Sequence, residues 1–128
     1  IIYPESHYGR DALVGVAMFL SLLTEKKMKV SELRASYPSY FMSKKKVQLV
    51  KGMPVDAILE DIHAKYKSEE VTSIDGVKID FADQWVHMRK SNTEPIIRIY
   101  TEAPTQQIAD ALADRFIAEL EEIAQQHA

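Results

Sequence analysis

From residue 11 the chain carries apolar side chains at helical spacing. Leu13, Val16, Ala17, Leu20 and Leu23 recur at intervals of three or four, the mark of one helical face. Asp11 stands just before them, placed to cap the free N–H groups of the first turn. Met18 and Phe19 widen the apolar stripe, so this helix wants cover on most sides. Thr24 to Lys27 reads as a polar helix end. Ser31-Glu32-Leu33-Arg34 predicts a short capped helix that stops before Pro38, because a residue preceding proline is steered away from helical angles. At Tyr37-Pro38-Ser39-Tyr40 the pattern changes to strand-like alternation, which places a boundary between residues 1–38 and 39–128.

Residues 42–50 alternate loosely and include Lys44-Lys45-Lys46, which suits an exposed edge strand whose lysines discourage stray pairing. Gly52 and Pro54 open a helix with Val55, Ile58, Leu59, Ile62 and Tyr66 on one face. Residues 71–74 and 77–81 read as strands joined by Asp75-Gly76, a pair that supplies the positive φ angles of a two-residue hairpin turn. Residues 84–90 and 96–101 predict two further strands. Pro104-Thr105 starts a long helix with Ile108, Leu112, Phe116, Leu120 and Ile123 inward and fraying at Gln125-Gln126-His127. Glu119, Glu121 and Glu122 read as its solvated face. The order strand, helix, strands, helix predicts an α+β domain: a small, mostly antiparallel sheet covered on one face by two helices, preceded by the helices of residues 1–38.

The last two strands constrain each other. Val86 and Met88 share one side of the first, Ile97 and Ile99 one side of the second, and both pairs belong under the helices. For both sets to point the same way, opposed residue numbers must sum to an odd value, since a one-residue slip reverses every side chain. A register pairing Met88 with Ile99 satisfies this and sets Arg89 against Arg98. Two opposed arginines repel unless an anion sits between them. Glu94, held extended by Pro95, relieves part of that repulsion.

Composition narrows the chemistry. The 128 residues are 46% hydrophobic, enough for the core of one domain or one domain plus a fragment. A net charge of -3 and a pI near 5.8 argue against general nucleic-acid binding, which needs a basic face to release counterions. Cysteine is absent, excluding disulfides and thiolate metal sites. The longest apolar stretch, residues 12–23, is too short to span a bilayer. The start at Ile1-Ile2-Tyr3 reads as a piece of something longer. His63 and His87 have no ligand-spaced partner and read as ordinary surface or packing residues. Trp85 reads as a core or interface residue, and Asp80 and Asp83 as turn caps.

The exception is Arg89-Lys90-Ser91-Asn92-Thr93-Glu94-Pro95, with Arg98 following. Guanidiniums offer planar forks that fit phosphate oxygens, hydroxyls add further donors, and a tight turn can aim backbone N–H groups inward. This run, with Tyr100, resembles the C-terminal phosphate-binding loop of the α-D-phosphohexomutases, the phosphoglucomutase, phosphomannomutase and phosphoglucosamine mutase superfamily. Tyr8-Gly9-Arg10-Asp11-Ala12-Leu13, and Ser31 to Arg34 leading into Tyr37-Pro38, are similar to the end of that family's third domain, so the resemblance covers nearly the whole chain.

The resemblance implies that residues 1–38 close the third mutase domain and that residues 39–128 form the fourth, a small α+β domain similar to the TATA-binding-protein fold. It implies a cytoplasmic enzyme moving phosphate between the 1- and 6-positions of a hexose through a bisphosphorylated intermediate. Arg89, Ser91, Asn92, Thr93 and Arg98 carry over as binders of the phosphate that is not being transferred. The catalytic phosphoserine, the Mg2+-binding carboxylates and the sugar-recognition loop are expected upstream, with His7 and Arg10 near the last of these. This chain alone is then inactive, and a hinge near Pro38 to Phe41 closes the clamp on a phosphorylated hexose or amino-hexose held by the remaining domains. The sugar stays open among glucose, mannose and glucosamine. The alternative is a stand-alone module that binds a phosphorylated ligand or a protein without catalysis.

Overall fold

The structure, a computed structural model, describes residues 1–48 and 52–127. It divides into two compact units, Ile1–Pro38 and Ser39–Ala128. In the first, α1 (Ala12–Lys26) is capped by Asp11. Asp11 Oδ1 accepts from the backbone N–H groups of Leu13 at 2.8 Å and Val14 at 3.1 Å. Helix α2 (Val30–Ser36) starts one residue earlier than Ser31 implies. Its first turn is closed by Glu32, whose carboxylate accepts from the Lys29 N–H at 2.7 Å. Ser31 therefore lies inside the helix. No residue of α1 is buried, and Leu13 is 79% exposed.

The second unit carries β1 (Phe41–Gln48), α3 (Val55–Lys65), β2 (Glu70–Thr72), β3 (Val77–Asp80), β4 (Trp85–Lys90), β5 (Ile96–Ala103) and α4 (Gln106–Gln126). The expected first strand extended to residue 50, and its last two positions lie outside the described residues. The described strands form one sheet in the order β1-β5-β4-β3-β2, with every recorded pairing antiparallel. The lysine-rich β1 is an edge. Strands β4 and β5 pair in the register that their apolar faces require, Met88 opposite Ile99 and Arg89 opposite Arg98.

Val86, Met88, Ile97 and Ile99 have no exposure and join Ile58, Ile62, Phe116 and Leu120 in the core. Both helices cover that face. Thr101 shares it, and its buried hydroxyl donates to the Ala109 carbonyl at 2.7 Å, so the polar group does not go unsatisfied.

Four local expectations change. The β2–β3 connection is not a two-residue turn: Thr72 pairs with Lys78, and of Asp75 and Gly76 only Gly76 has positive φ, at 75°. One left-handed residue fits a longer loop in which a glycine completes the reversal, whereas the type I′ turn that Asp-Gly signals needs two such residues. On α4, Ile108 is 41% exposed and Ala109 takes the inward position. The helix also continues through Gln126, where His127 Nε2 meets Asp61 Oδ2 at 2.7 Å.

Glu119 is the clearest departure. Its side chain is 15% exposed and pairs with Lys65 at 2.8 Å and Arg115 at 3.1 Å. The Tyr66 hydroxyl donates to it at 2.7 Å and accepts from Arg115 Nη2 at 2.6 Å. Three-to-four spacing with Arg115 and the reach of Tyr66 from the end of α3 convert an apparently solvated position into a clasp between helices. Burial pushes the Glu119 carboxyl up, and the hydrogen bonds from Lys65, Tyr66 and Arg115 outweigh it, leaving it below its ordinary value of 4.5. A folded-state value below the unfolded one contributes stability above the unfolded value, and this is lost as pH falls through the lowered one. Glu119→Gln is therefore expected to be less stable than the parent at pH 7, with the gap closing on acidification below the ordinary glutamate range. Urea midpoints at pH 7 and pH 3 check this, and a gap that stays constant contradicts it.

Candidate functional site

The last residues of β4, the connection to β5 and the third residue of β5 border a cavity of about 410 Å³. It gathers Arg89, Ser91, Asn92, Thr93 and Arg98, the five residues expected from sequence, together with Lys90, Asp56 and Asp75. Strand alternation explains the placement. Arg89 and Arg98 lie on the sheet face away from the helices, opposite one another. Lys90 points to the helix side, where its Nζ meets both carboxylate oxygens of Asp56, in the first turn of α3, at 2.7 and 2.8 Å. The cavity thus wraps the end of the sheet.

The loop is closed by its own backbone. Ser91 N–H donates to the Ile96 carbonyl at 3.0 Å and Ile96 N–H to the Glu94 carbonyl at 2.8 Å. The Ser91 amide is therefore committed to the loop and is not a donor for an anion. Ser91 Oγ lies 3.4 Å from both Thr93 Oγ1 and Thr93 N, longer than a well-formed bond. These groups are close together yet weakly engaged with each other.

The expected conflict between the two arginines is resolved within the protein. Arg89 Nη1 donates to Asp75 Oδ2 at 2.8 Å, and Arg98 Nη2 stands 3.8 Å from Glu94 Oε2. The hydrogen bond that Arg89 donates to Asp75 holds the Arg89 pKa above its ordinary value. Sequence reasoning found Glu94 and missed Asp75, which it treated only as a turn former. The signal was in the β3–β4 register: Val77 opposes Met88, so the turn before Val77 comes beside Arg89. Gly76 makes that approach possible, since a Cβ there would lie 2.2 Å from the Met88 carbonyl oxygen and 3.0 Å from Arg89 Cα. His87, expected to be an ordinary surface or packing residue, reaches the same turn through Nε2, 2.6 Å from the Asp75 carbonyl.

Positive charge extends from the loop onto the open sheet face. Lys46 opposes Arg98 and Arg98 opposes Arg89, so three cations lie in line across three strands. One rank further along, Lys44 opposes Tyr100, with its ammonium 5.8 Å from the ring centroid. Beyond that the charge changes sign, with Glu102 accepting from Trp85 Nε1 at 3.2 Å and Asp80 paired with Lys78. A chain of net charge -3 therefore presents a local cationic end, where an anion is attracted.

Elsewhere the described residues offer less chemistry. They contain no group of three or more His, Asp or Glu residues able to hold a metal ion, and no helix long and apolar enough to cross a membrane. In the first unit His7 accepts from the Gly9 N–H at 3.0 Å and donates from Nε2 to Asp11 at 3.0 Å. That hydrogen bond, ahead of the backbone bonds from the helix start, lowers the Asp11 pKa.

A family described as phosphoglucomutase/phosphomannomutase, C-terminal domain, matches residues 24–119. A phosphoglucosamine/phosphogalactosamine mutase of Sulfurisphaera tokodaii is 39% identical over 115 residues, which is 88% of this chain and 25% of that protein. A phosphoglucomutase/phosphomannomutase of Thermococcus kodakarensis is 35% identical over 124 residues, 95% of this chain and 27% of that protein. The chain thus spans about a quarter of the length of these relatives. A crystal structure of a phosphoglucomutase/phosphomannomutase family protein from Burkholderia thailandensis superposes with a TM-score of 0.52 at 24% identity, covering 73% of this chain and 20% of that one. This last likeness is one of fold.

Proposed function

Because the chain belongs to the phosphoglucomutase/phosphomannomutase C-terminal domain family, we propose that it is the part of a phosphohexomutase that clamps the substrate's non-reacting phosphate. The observation that carries this reading is the convergence of Arg89, Ser91, Asn92, Thr93 and Arg98 on one cavity of about 410 Å³. Two guanidiniums on adjacent strands supply planar donor forks, the loop hydroxyls supply further donors, and the cationic rank across β1, β5 and β4 supplies attraction. The substrate class is a phosphorylated hexose or amino-hexose.

The role is positioning. Holding one phosphate fixes where the far end of the sugar lies, and such orientation contributes several kcal/mol of barrier lowering, up to about 7–11 in the best intramolecular cases. The reaction then moves phosphate between positions 1 and 6 through a bisphosphorylated sugar, and this clamp receives each end in turn. Contacts to phosphate alone accept both orientations, whereas contacts to one sugar face accept only one. A magnesium ion in the longer protein would stabilise charge on the phosphate being transferred. Among the described residues there is no group of three or more His, Asp or Glu able to hold such an ion, and the work assigned to this chain is to bind, orient and release.

Titration of the chain with glucose 6-phosphate, followed through the backbone amides of residues 89–98, tests the proposal. Saturable shifts are expected there. Arg98→Ala is expected to weaken binding about tenfold to a hundredfold, the range for losing a hydrogen bond to a charged group. Absence of shifts at millimolar ligand, or an unchanged affinity in Arg98→Ala, overturns it.

A further inference from the structure

We propose that Asp75 is a built-in competitor for the anion, holding part of the Arg89 fork so that the cavity grips a phosphate loosely and rejects weaker anions such as carboxylates. This rests on the phosphate-clamp reading and adds how tightly, and for which anion, the clamp is set.

The described cations of the cavity each meet a carboxylate: Arg89 with Asp75 at 2.8 Å, Lys90 with Asp56 at 2.7 Å and Arg98 with Glu94 at 3.8 Å. The three pairs differ in kind. Asp56 ties Lys90 to the start of α3, on the helix side of the sheet. Glu94 stands beyond hydrogen-bond distance of Arg98, which leaves that guanidinium its donors. Asp75 alone makes a short hydrogen bond to a guanidinium facing the open cavity.

Its position is also enforced. The Asp75 carbonyl is 2.6 Å from His87 Nε2, the next residue has φ 75°, and the close approach of Gly76 to the Met88 carbonyl fixes the turn against β4. The carboxylate is thus presented by a braced turn and does not come from a freely rotating surface loop.

A guanidinium donates through a rigid fork, and its strongest grip on phosphate uses two parallel N–H bonds. With Nη1 committed to Asp75, an incoming anion must displace the carboxylate, share that donor, or approach through the remaining donors beside a like charge. Each route costs affinity. A phosphate monoester near pH 7 carries a charge of about -1.5 to -2 and three acceptor oxygens, so it competes well against one carboxylate. A sugar acid offers the same group that already occupies the site and gains little by exchange. Loose binding also suits a clamp that must let go of one end of a bisphosphorylated sugar before taking the other.

Titrating the chain with inorganic phosphate at fixed pH and ionic strength, reading the amides of residues 89–98, tests this. Asp75→Asn removes the charge while keeping a side chain that turns favour, and Asp75→Ser serves as a second variant. Either is expected to tighten the phosphate Kd by about threefold to tenfold, the scale of an exposed ion pair plus relief of repulsion. Acetate is expected to produce shifts in the variants at concentrations that leave the unmodified chain unchanged. Asp61→Asn, which removes the same charge beside His127, is expected to leave the Kd unchanged. Phosphate binding by the unmodified chain with no tightening, or with weakening, in the Asp75 variants overturns the inference and leaves the clamp standing. Equal tightening by Asp61→Asn also overturns it, reducing the effect to net charge. If neither the unmodified chain nor the variants bind phosphate, the clamp reading fails and this inference fails with it.

Discussion

Gly76→Ala is expected to destabilise the second unit by about 2–4 kcal/mol and to disrupt the Arg89–Asp75 pair at the same time. Two costs add. The backbone at residue 76 has φ 75°, where an L side chain is crowded against its own carbonyl at a cost of about 1–2 kcal/mol. The new Cβ would also fall 2.2 Å from the Met88 carbonyl oxygen, and that oxygen belongs to a strand backbone that cannot rotate away. The turn must lift off β4, carrying Asp75 from Arg89 and the Asp75 carbonyl from His87. Urea unfolding reads the first effect and amide shifts around residues 87–89 the second. A stability change below about 0.5 kcal/mol, the ordinary range for surface substitutions, contradicts the argument.

Phe116→Ala carries the other large effect, a loss of about 3–5 kcal/mol. Phe116 has no exposure. Its ring centroid is 5.2 Å from that of Tyr66 and 6.4 Å from that of Phe81, and the Arg115 guanidinium sits 5.1 Å from it. Truncation removes the apolar side of the Glu119 clasp as well as core volume, leaving a cavity that α3, β5 and the clasp are too tightly tied to fill. Total stability of a domain is typically about 5–15 kcal/mol, so a sharp fall in the urea midpoint is expected. A loss under about 1.5 kcal/mol indicates that the neighbouring side chains collapse into the space.

Much of this organisation was legible in the order of residues. Periodicity gave the helices, and the requirement that Val86, Met88, Ile97 and Ile99 share a face determined the β4–β5 register, which in turn placed Arg89 against Arg98. What alternation cannot give is how a turn lies against the next strand. Asp75-Gly76 is a strong hairpin signal, yet the hairpin uses one left-handed residue instead of two, and its real constraint is contact with Met88 and Arg89. Charge is legible only as a count until partners meet. Glu119 looked solvated because Tyr66, Lys65 and Arg115 reach it from two helices, and the helix-side destination of Lys90 depended on where α3 begins. Ile108 failed for a simpler reason: in the first turn the apolar stripe is met by Ala109, where α4 passes close to Thr101.

The position of β5 has a consequence for the order in which the domain can form. It lies between β1 and β4, so residues as far apart in sequence as Phe41 and Ala103 are direct partners. Until β5 is present β1 has nothing to pair with, and closing so long an intervening segment is entropically slow. During that interval β1 is an unpaired strand, the kind of segment that seeds misassembly. Lys44, Lys45 and Lys46 put like charge along it, so two unfinished copies repel each other where they would otherwise associate. Lys44 and Lys46, which share the open face with the arginines in the finished domain, thus also put like charge on the strand before β5 pairs with it.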